Sequence, residues 1–128
     1  ADKSHSLQDP YLEEVGRGET PFGAPVFVFF RLAGTFVTDA PQLVGINAAA
    51  DLAVERNMKV RITGSADSAT GSSVKNDAIA LSRAEHVAEV MEKRGVSADR
   101  IEVLSVGGTD AYGSAEANRN CRIELFMQ

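Results

Sequence analysis

Two histidines, one cysteine and four prolines are the whole supply of those residues in this 128-residue chain. No apolar run approaches the ~20 residues that a membrane span needs. A single thiol, Cys121, excludes an intrachain disulfide framework, and it does not fix the redox compartment. A nucleophilic site needs a histidine base and an orienting acid beside a Ser or Cys. His5 lies in the N-terminal stretch and His86 on the polar side of a helical segment, and neither sits in a catalytic motif. Both read as solvated, and no enzymatic activity is expected. No His, Cys and carboxylate cluster has metal-ligand spacing, and "DSATGSS" (67–73) lacks the acidic pattern of a calcium loop. No metal or other cofactor is expected. Net charge is −5 with no basic cluster, which argues against nucleic acid as a partner. The opening "ADKSHSLQDP" has no apolar signal core. The chain is therefore cytosolic, a mature product, or a fragment of a longer exported protein, and composition leaves those alternatives open.

What is present suits one globular domain. Hydrophobic residues are 44% and charged residues 24%, ordinary values for a folded chain, and a domain of this length buries roughly two-thirds of its unfolded surface. Three of the four prolines fall within residues 1–25, among glycines and scattered charge. Residues 1–24 read as an N-terminal linker or extension, with a short helical turn around Tyr11, Leu12 and Val15, and residues 25–128 as the domain.

Within the domain, "PVFVFFRL" (25–32) predicts a strand, with apolar residues at both parities and hence burial on both faces. Residues 39–56 predict a helix capped by Asp39, with Pro41 in its first turn and Leu43, Ile46, Ala50 and Ala53 on one face. "MKVRITG" (58–64) alternates, with Met58, Val60 and Ile62 opposed to Lys59, Arg61 and Thr63. A small-residue loop (64–75) leads to a helix over 76–95, whose stripe is Ala80, Ala84, Val87 and Met91, with Gly95 as the stop. A turn at 97–100 capped by Ser97, a strand at 101–108, a loop at 109–118 and an alternating strand at 120–127 complete the order βαβαββ. The expected class is α+β, a mixed sheet with two main helices packed on one face.

The segment "GSADSATGSSVKNDAIALSRA" (64–84) holds one acid in its loop, Asp67, and one base in its helix, Arg83. A strand, a small-residue loop and a helix start make an anion-binding arrangement. A phosphate loop would need a Lys that is absent, and Asp67 repels phosphate. A guanidinium grips a carboxylate bidentately, and a carboxylate grips an ammonium, so the pair suits a zwitterionic amino-acid head group. The alternative is local: Asp67 and Arg83 bond each other or the backbone and only fix the loop.

The chain resembles the OmpA-like peptidoglycan-binding domains. That family carries a signature similar to G-H-T-D-x-x-G, then N-x-x-L-S-x-x-R-A, then a final strand opening N-R-R-V-E. Here these stand as Gly64-Ser65-Ala66-Asp67 with Gly71, as Asn76, Ile79, Ala80, Arg83 and Ala84, and as Asn120-Cys121-Arg122-Ile123-Glu124. The resemblance covers about residues 25–127. Ser65 and Ala66 replace the usual His and Thr, and Cys121 replaces an Arg. Arg31 stands where an Asp is common. One extra residue lies between Asp67 and Gly71, similar to Bacteroidetes-type members. The "LS" at 81–82 is out of register with the family's Leu-Ser, which maps to Ile79-Ala80.

The resemblance implies a non-catalytic periplasmic module of a Gram-negative bacterium. Such a module anchors an outer-membrane-associated protein to peptidoglycan by holding meso-diaminopimelate of the stem peptide. It implies Asp67 for the ammonium, Arg83 for the carboxylate, Asn76 at the pocket wall, and Ser68 beside the acid. Its alternative is an OmpA-like structural or protein-interaction module that has lost peptidoglycan binding. No oligomeric state is fixed, and a homo-oligomer is compatible with the sequence.

Overall fold

The computed structural model describes residues 20–127. The expected turn around Tyr11 and most of the 1–24 extension lie outside the described residues. The chain runs β1 (Val26–Phe29), α1 (Ala40–Arg56), β2 (Lys59–Asp67), α2 (Ser73–Lys93), a 3₁₀ turn (Ala98–Arg100), β3 (Ile101–Thr109), the short α3 (Ala115–Asn118) and β4 (Asn120–Phe126). The sheet order is β1-β4-β2-β3. The β2–β3 pair is parallel, and β4 runs antiparallel to both β1 and β2. The α+β class and the mixed sheet follow the expectation, with α3 as an addition inside the anticipated 109–118 loop. Among the described residues no helix is long and apolar enough to cross a membrane.

One core holds the layers together. Ile46, Ala49, Ala50 and Ala53 of α1 and Ala84, Val87, Ala88 and Met91 of α2 pack on Val28, Val60, Ile62, Cys121, Ile123 and Leu125. Both helices therefore cover the same face of the sheet. Asp39 caps α1 through Gln42 N–H, and Pro41 sits in its first turn, where its missing N–H costs nothing. The Gln42 side chain reaches back to both the N–H and the carbonyl of Phe29, tying α1 to the edge strand. Gly64 brings α2 close to β2: a Cβ there would meet the Ala80 carbonyl oxygen and lie 2.9 Å from its carbon.

Two readings of burial change. β1 is not buried on both faces: it is an edge strand, and Phe27 and Phe29 are 37% and 47% exposed. Their rings stack on each other, and Tyr112 meets Phe27 edge-on, which accounts for apolar residues on the open side. In β2 the alternation holds, yet Arg61 and Thr63 are buried too. Arg61 lies in register between Glu102 and Glu124 and donates to Glu102 through Nε and Nη2 at 2.9 and 2.8 Å. Met127, the last residue of the anticipated 120–127 strand, lies beyond β4 and is exposed. Within the segment assigned to the extension, the Phe22 N–H donates to the Leu125 carbonyl (2.7 Å), and its ring lies beneath the Arg56 guanidinium.

Candidate functional site

The local structure around the acid and the base is tighter than the spacing suggested. β2 continues through Asp67, so the acid closes a strand rather than sitting in a loop. α2 begins at Ser73, capped by the Ser72 hydroxyl, which accepts from Lys75 N–H. The anticipated 64–75 loop shrinks to residues 68–72, and Asn76 falls in the first turn of the helix. Between Gly64 and Ala66 the register with β3 slips from Ser105 to Gly108. β3 thus carries an extra residue, with Gly107 at φ 66°. A bulge of this kind bends the strand that carries it, here β3 opposite the Ala66-Asp67 end of β2.

Asp67 is buried at 4% exposure. Its Oδ1 accepts from Asn118 Nδ2 at 2.8 Å and its Oδ2 from the Thr70 hydroxyl at 3.3 Å. Asn118 is itself fixed by accepting from the Tyr112 N–H. An ionised carboxylate offers about four acceptor positions, so both oxygens keep capacity. The Asn76 side chain donates to the Asp67 carbonyl and braces the strand end against the helix.

Arg83 is buried at 1% exposure. Three backbone carbonyls hold its guanidinium: Gly34 at Nε (2.8 Å), Ser65 at Nη1 (2.9 Å) and Arg31 at Nη2 (3.1 Å). The Phe30 ring lies against it, 5.3 Å from the ring centre. Among the described residues Arg83 and Asp67 form no ion pair with each other. A guanidinium has five N–H groups. Three are used among the described residues, which leaves one on each terminal nitrogen, and a bidentate carboxylate takes two. Burial lowers the Arg83 pKa to about 10; nearby Cys121 opposes this and the charge of Arg119 adds to it. It stays cationic at neutral pH.

These groups line one cavity of about 150 Å³, with Leu32, Ala33, Ala66, Thr70, Gly71, Lys75, Ile79 and Arg119. The wall at Leu32 and Ala33 is a tight turn closed by Gly34 N–H to the Arg31 carbonyl at 2.8 Å, with Ala33 in the left-handed region at φ 56°. The cavity offers a buried acid, a fixed guanidinium and an open side. That set suits non-covalent capture of a small charged group.

A family model described as OmpA family matches residues 37–121, most of the domain and every element from the start of α1 to the start of β4. The chain belongs to the OmpA family. Outer membrane protein 40 of Porphyromonas gingivalis is 34% identical over 83 residues, covering 65% of this chain and 22% of that protein. This OmpA-family domain thus spans about a fifth of the length of the curated relative it matches. Among solved structures, the peptidoglycan-associated lipoprotein from Burkholderia pseudomallei is similar at TM-score 0.66 and 24% identity, over 80% of this chain and 89% of that one. The cell wall anchor of the T6SS from Pseudomonas aeruginosa is similar at TM-score 0.67 and 19% identity, over 91% and 93%. At these identities the likeness is one of fold.

Of the residues proposed from sequence, this OmpA-family domain brings Asp67, Asn76 and Arg83 to one cavity, while Ser68 is exposed next to it and is not part of the lining. The departures from the family signature fall in instructive places. Ser65 is not part of the cavity lining, and its hydroxyl donates to the Asn118 carbonyl at 2.9 Å. Arg31 contributes its carbonyl, and its side chain is exposed. Lys75, Arg119 and the 31–34 turn were missed. Arg119 sits 36 positions after Arg83 in sequence, and no local pattern marks it. His86 was read as solvated, yet it is half-buried. Its Nε2 accepts from Val37 N–H at 3.0 Å, its ring meets Phe36 edge-on, and burial lowers its pKa.

Proposed function

We propose that this domain binds the peptidoglycan stem peptide non-covalently, through the ammonium and carboxylate on the D-centre of meso-diaminopimelate. On this reading it tethers an outer-membrane-associated protein to the cell wall in the periplasm. The observation that carries the reading is the Arg83 guanidinium: three carbonyls fix its plane, two N–H groups on its terminal nitrogens have no partner among the described residues, and Arg83 lines the cavity that Asp67 also lines. Arg83 takes the ligand carboxylate in a fork, and Asp67 takes the ammonium. Such a zwitterion, held by charge-assisted hydrogen bonds out of bulk water, is recognised by geometry as well as charge. The preset guanidinium also reduces the ordering cost of binding. The names of the relatives, an outer membrane protein, a peptidoglycan-associated lipoprotein and a cell wall anchor, agree with this role.

The reading assigns no bond-breaking step to the domain. Incubation with isolated sacculi tests both parts. The domain is expected to sediment with the sacculi, free meso-diaminopimelate is expected to release it, and Asp67→Asn is expected to stay in the supernatant. A wild-type domain that remains soluble favours the structural-module alternative. Release of soluble wall fragments contradicts the non-catalytic assignment.

A further inference from the structure

The cavity carries more positive charge than a zwitterionic head group neutralises. Its lining has one carboxylate, Asp67, and three cations, Lys75, Arg83 and Arg119. An ammonium at Asp67 and a carboxylate at Arg83 leave Lys75 and Arg119 without a counter-charge among the described lining residues. Lys75 is exposed in the first turn of α2, where the helix dipole adds to the attraction for an anion.

Arg119 is the more telling of the two. Its backbone is fixed: its N–H donates to the Glu116 carbonyl, and its own carbonyl accepts from Phe30 N–H at 2.8 Å. Its side chain points into the cavity lining, and its Nε is buried without a hydrogen-bond partner among the described residues. A buried guanidinium N–H with no acceptor is rare in a folded chain. It also lies near a like charge, since the positive charge of Arg119 adds to burial in lowering the Arg83 pKa. Two guanidinium groups converging on one small cavity form a site for more than one anionic group.

Resting on the stem-peptide reading, we propose that Arg119, with Lys75 at the rim, binds a second carboxylate of the same ligand. The domain thereby discriminates among stem peptides by how many free carboxylates they carry. Two sources supply that group. One is the other-centre carboxylate of diaminopimelate, free when that residue ends the peptide. The other is the α-carboxylate of the γ-linked glutamate that precedes it, free unless amidated.

Calorimetric titration of the full chain with synthetic tripeptides tests this. The reference peptide is L-Ala-γ-D-Glu-meso-diaminopimelate, and the two probes carry one amide each, at the glutamate α-carboxyl or at the other-centre carboxyl of diaminopimelate. Wild type is expected to bind one of the amides about tenfold more weakly than the reference. Arg119→Gln is expected to show that loss on the reference and no further loss on the same amide, which identifies the source. Lys75→Gln is expected to lose less. Equal affinity of wild type and Arg119→Gln for the reference peptide overturns the proposal, as does equal affinity of wild type for all three peptides. If wild type binds none of them, the stem-peptide reading itself falls and this inference with it. Arg119→Lys guards against a folding defect. Its point charge holds a carboxylate without the fork, so it is expected to bind the reference between wild type and Arg119→Gln, and failure to prefer the reference over the amide that wild type binds more weakly also counts against the proposal.

Discussion

Replacing Arg83 with Met isolates the structural half of its role. Methionine fills a similar length without any donor. The carbonyls of Gly34 and Ser65 then lose a buried guanidinium donor, and the Arg31 carbonyl keeps only the N–H of Gly34. A buried acceptor left unpaired costs ~1–3 kcal/mol. Removing a desolvated cation offsets part of that, because burial already disfavours the charge, as its lowered pKa records. The net destabilisation expected is about 2–4 kcal/mol, a large share of the ~5–15 kcal/mol typical of a domain. The chain has no tryptophan, so urea unfolding is best followed by far-UV circular dichroism. The midpoint should fall with the slope unchanged. A shift within ~0.5 kcal/mol of wild type, the range of an inert surface change, refutes the view that Arg83 ties the 31–34 turn to the end of β2.

Three further outcomes follow from packing and titration. Gly64→Ala forces a methyl into the Ala80 carbonyl and is expected to cost about 2 kcal/mol or more, read as a lower urea midpoint. Gly45→Ala puts a methyl into open space inside α1 and is expected to stabilise by about 1 kcal/mol, read as a higher melting temperature. His86 accepts from Val37 N–H and so is needed neutral, and its folded pKa lies below the ordinary value of 6.5. The unfolded chain therefore takes up the proton first. The stabilisation is whole above pH 6.5 and is lost as pH falls from there through the folded pKa. Unfolding free energy should decline over that window in wild type and stay flatter in His86→Gln; parallel curves contradict the assignment.

Periodicity carried the core. Ala80, Ala84, Val87 and Met91 recur at helical spacing, and Met58, Val60 and Ile62 alternate; all seven are fully buried. The capping of α1 was equally legible, since Asp39 and Pro41 act within a few residues of chain. The readings that failed depend on partners distant in sequence. β1 has the composition of a central strand, but its place at the sheet edge is set by pairing with β4. Arg61 looks solvent-facing in "MKVRITG", and its burial depends on Glu102 and Glu124 on other strands. Asp67 and Arg83 were visible as charges of a motif, while their fixation by Asn118 and by the carbonyls of residues 31, 34 and 65 was not. Arg119 enters the cavity from the end of α3, a helix too short to leave a periodic signal. The bulge opposite the Asp67 end of β2 lies in β3 and includes Gly107, whose left-handed backbone has no signature in β2 itself.

The central claim is capture of a zwitterionic head group by Asp67 and Arg83. Calorimetric titration of free meso-diaminopimelate into wild type and Asp67→Asn tests it most directly, because Asn keeps the shape of the acid and removes its charge. The account predicts saturable one-site binding to wild type and a loss of at least ~2 kcal/mol in the variant, about thirtyfold in Kd. Equal heats in the two proteins, or none in wild type, contradict it.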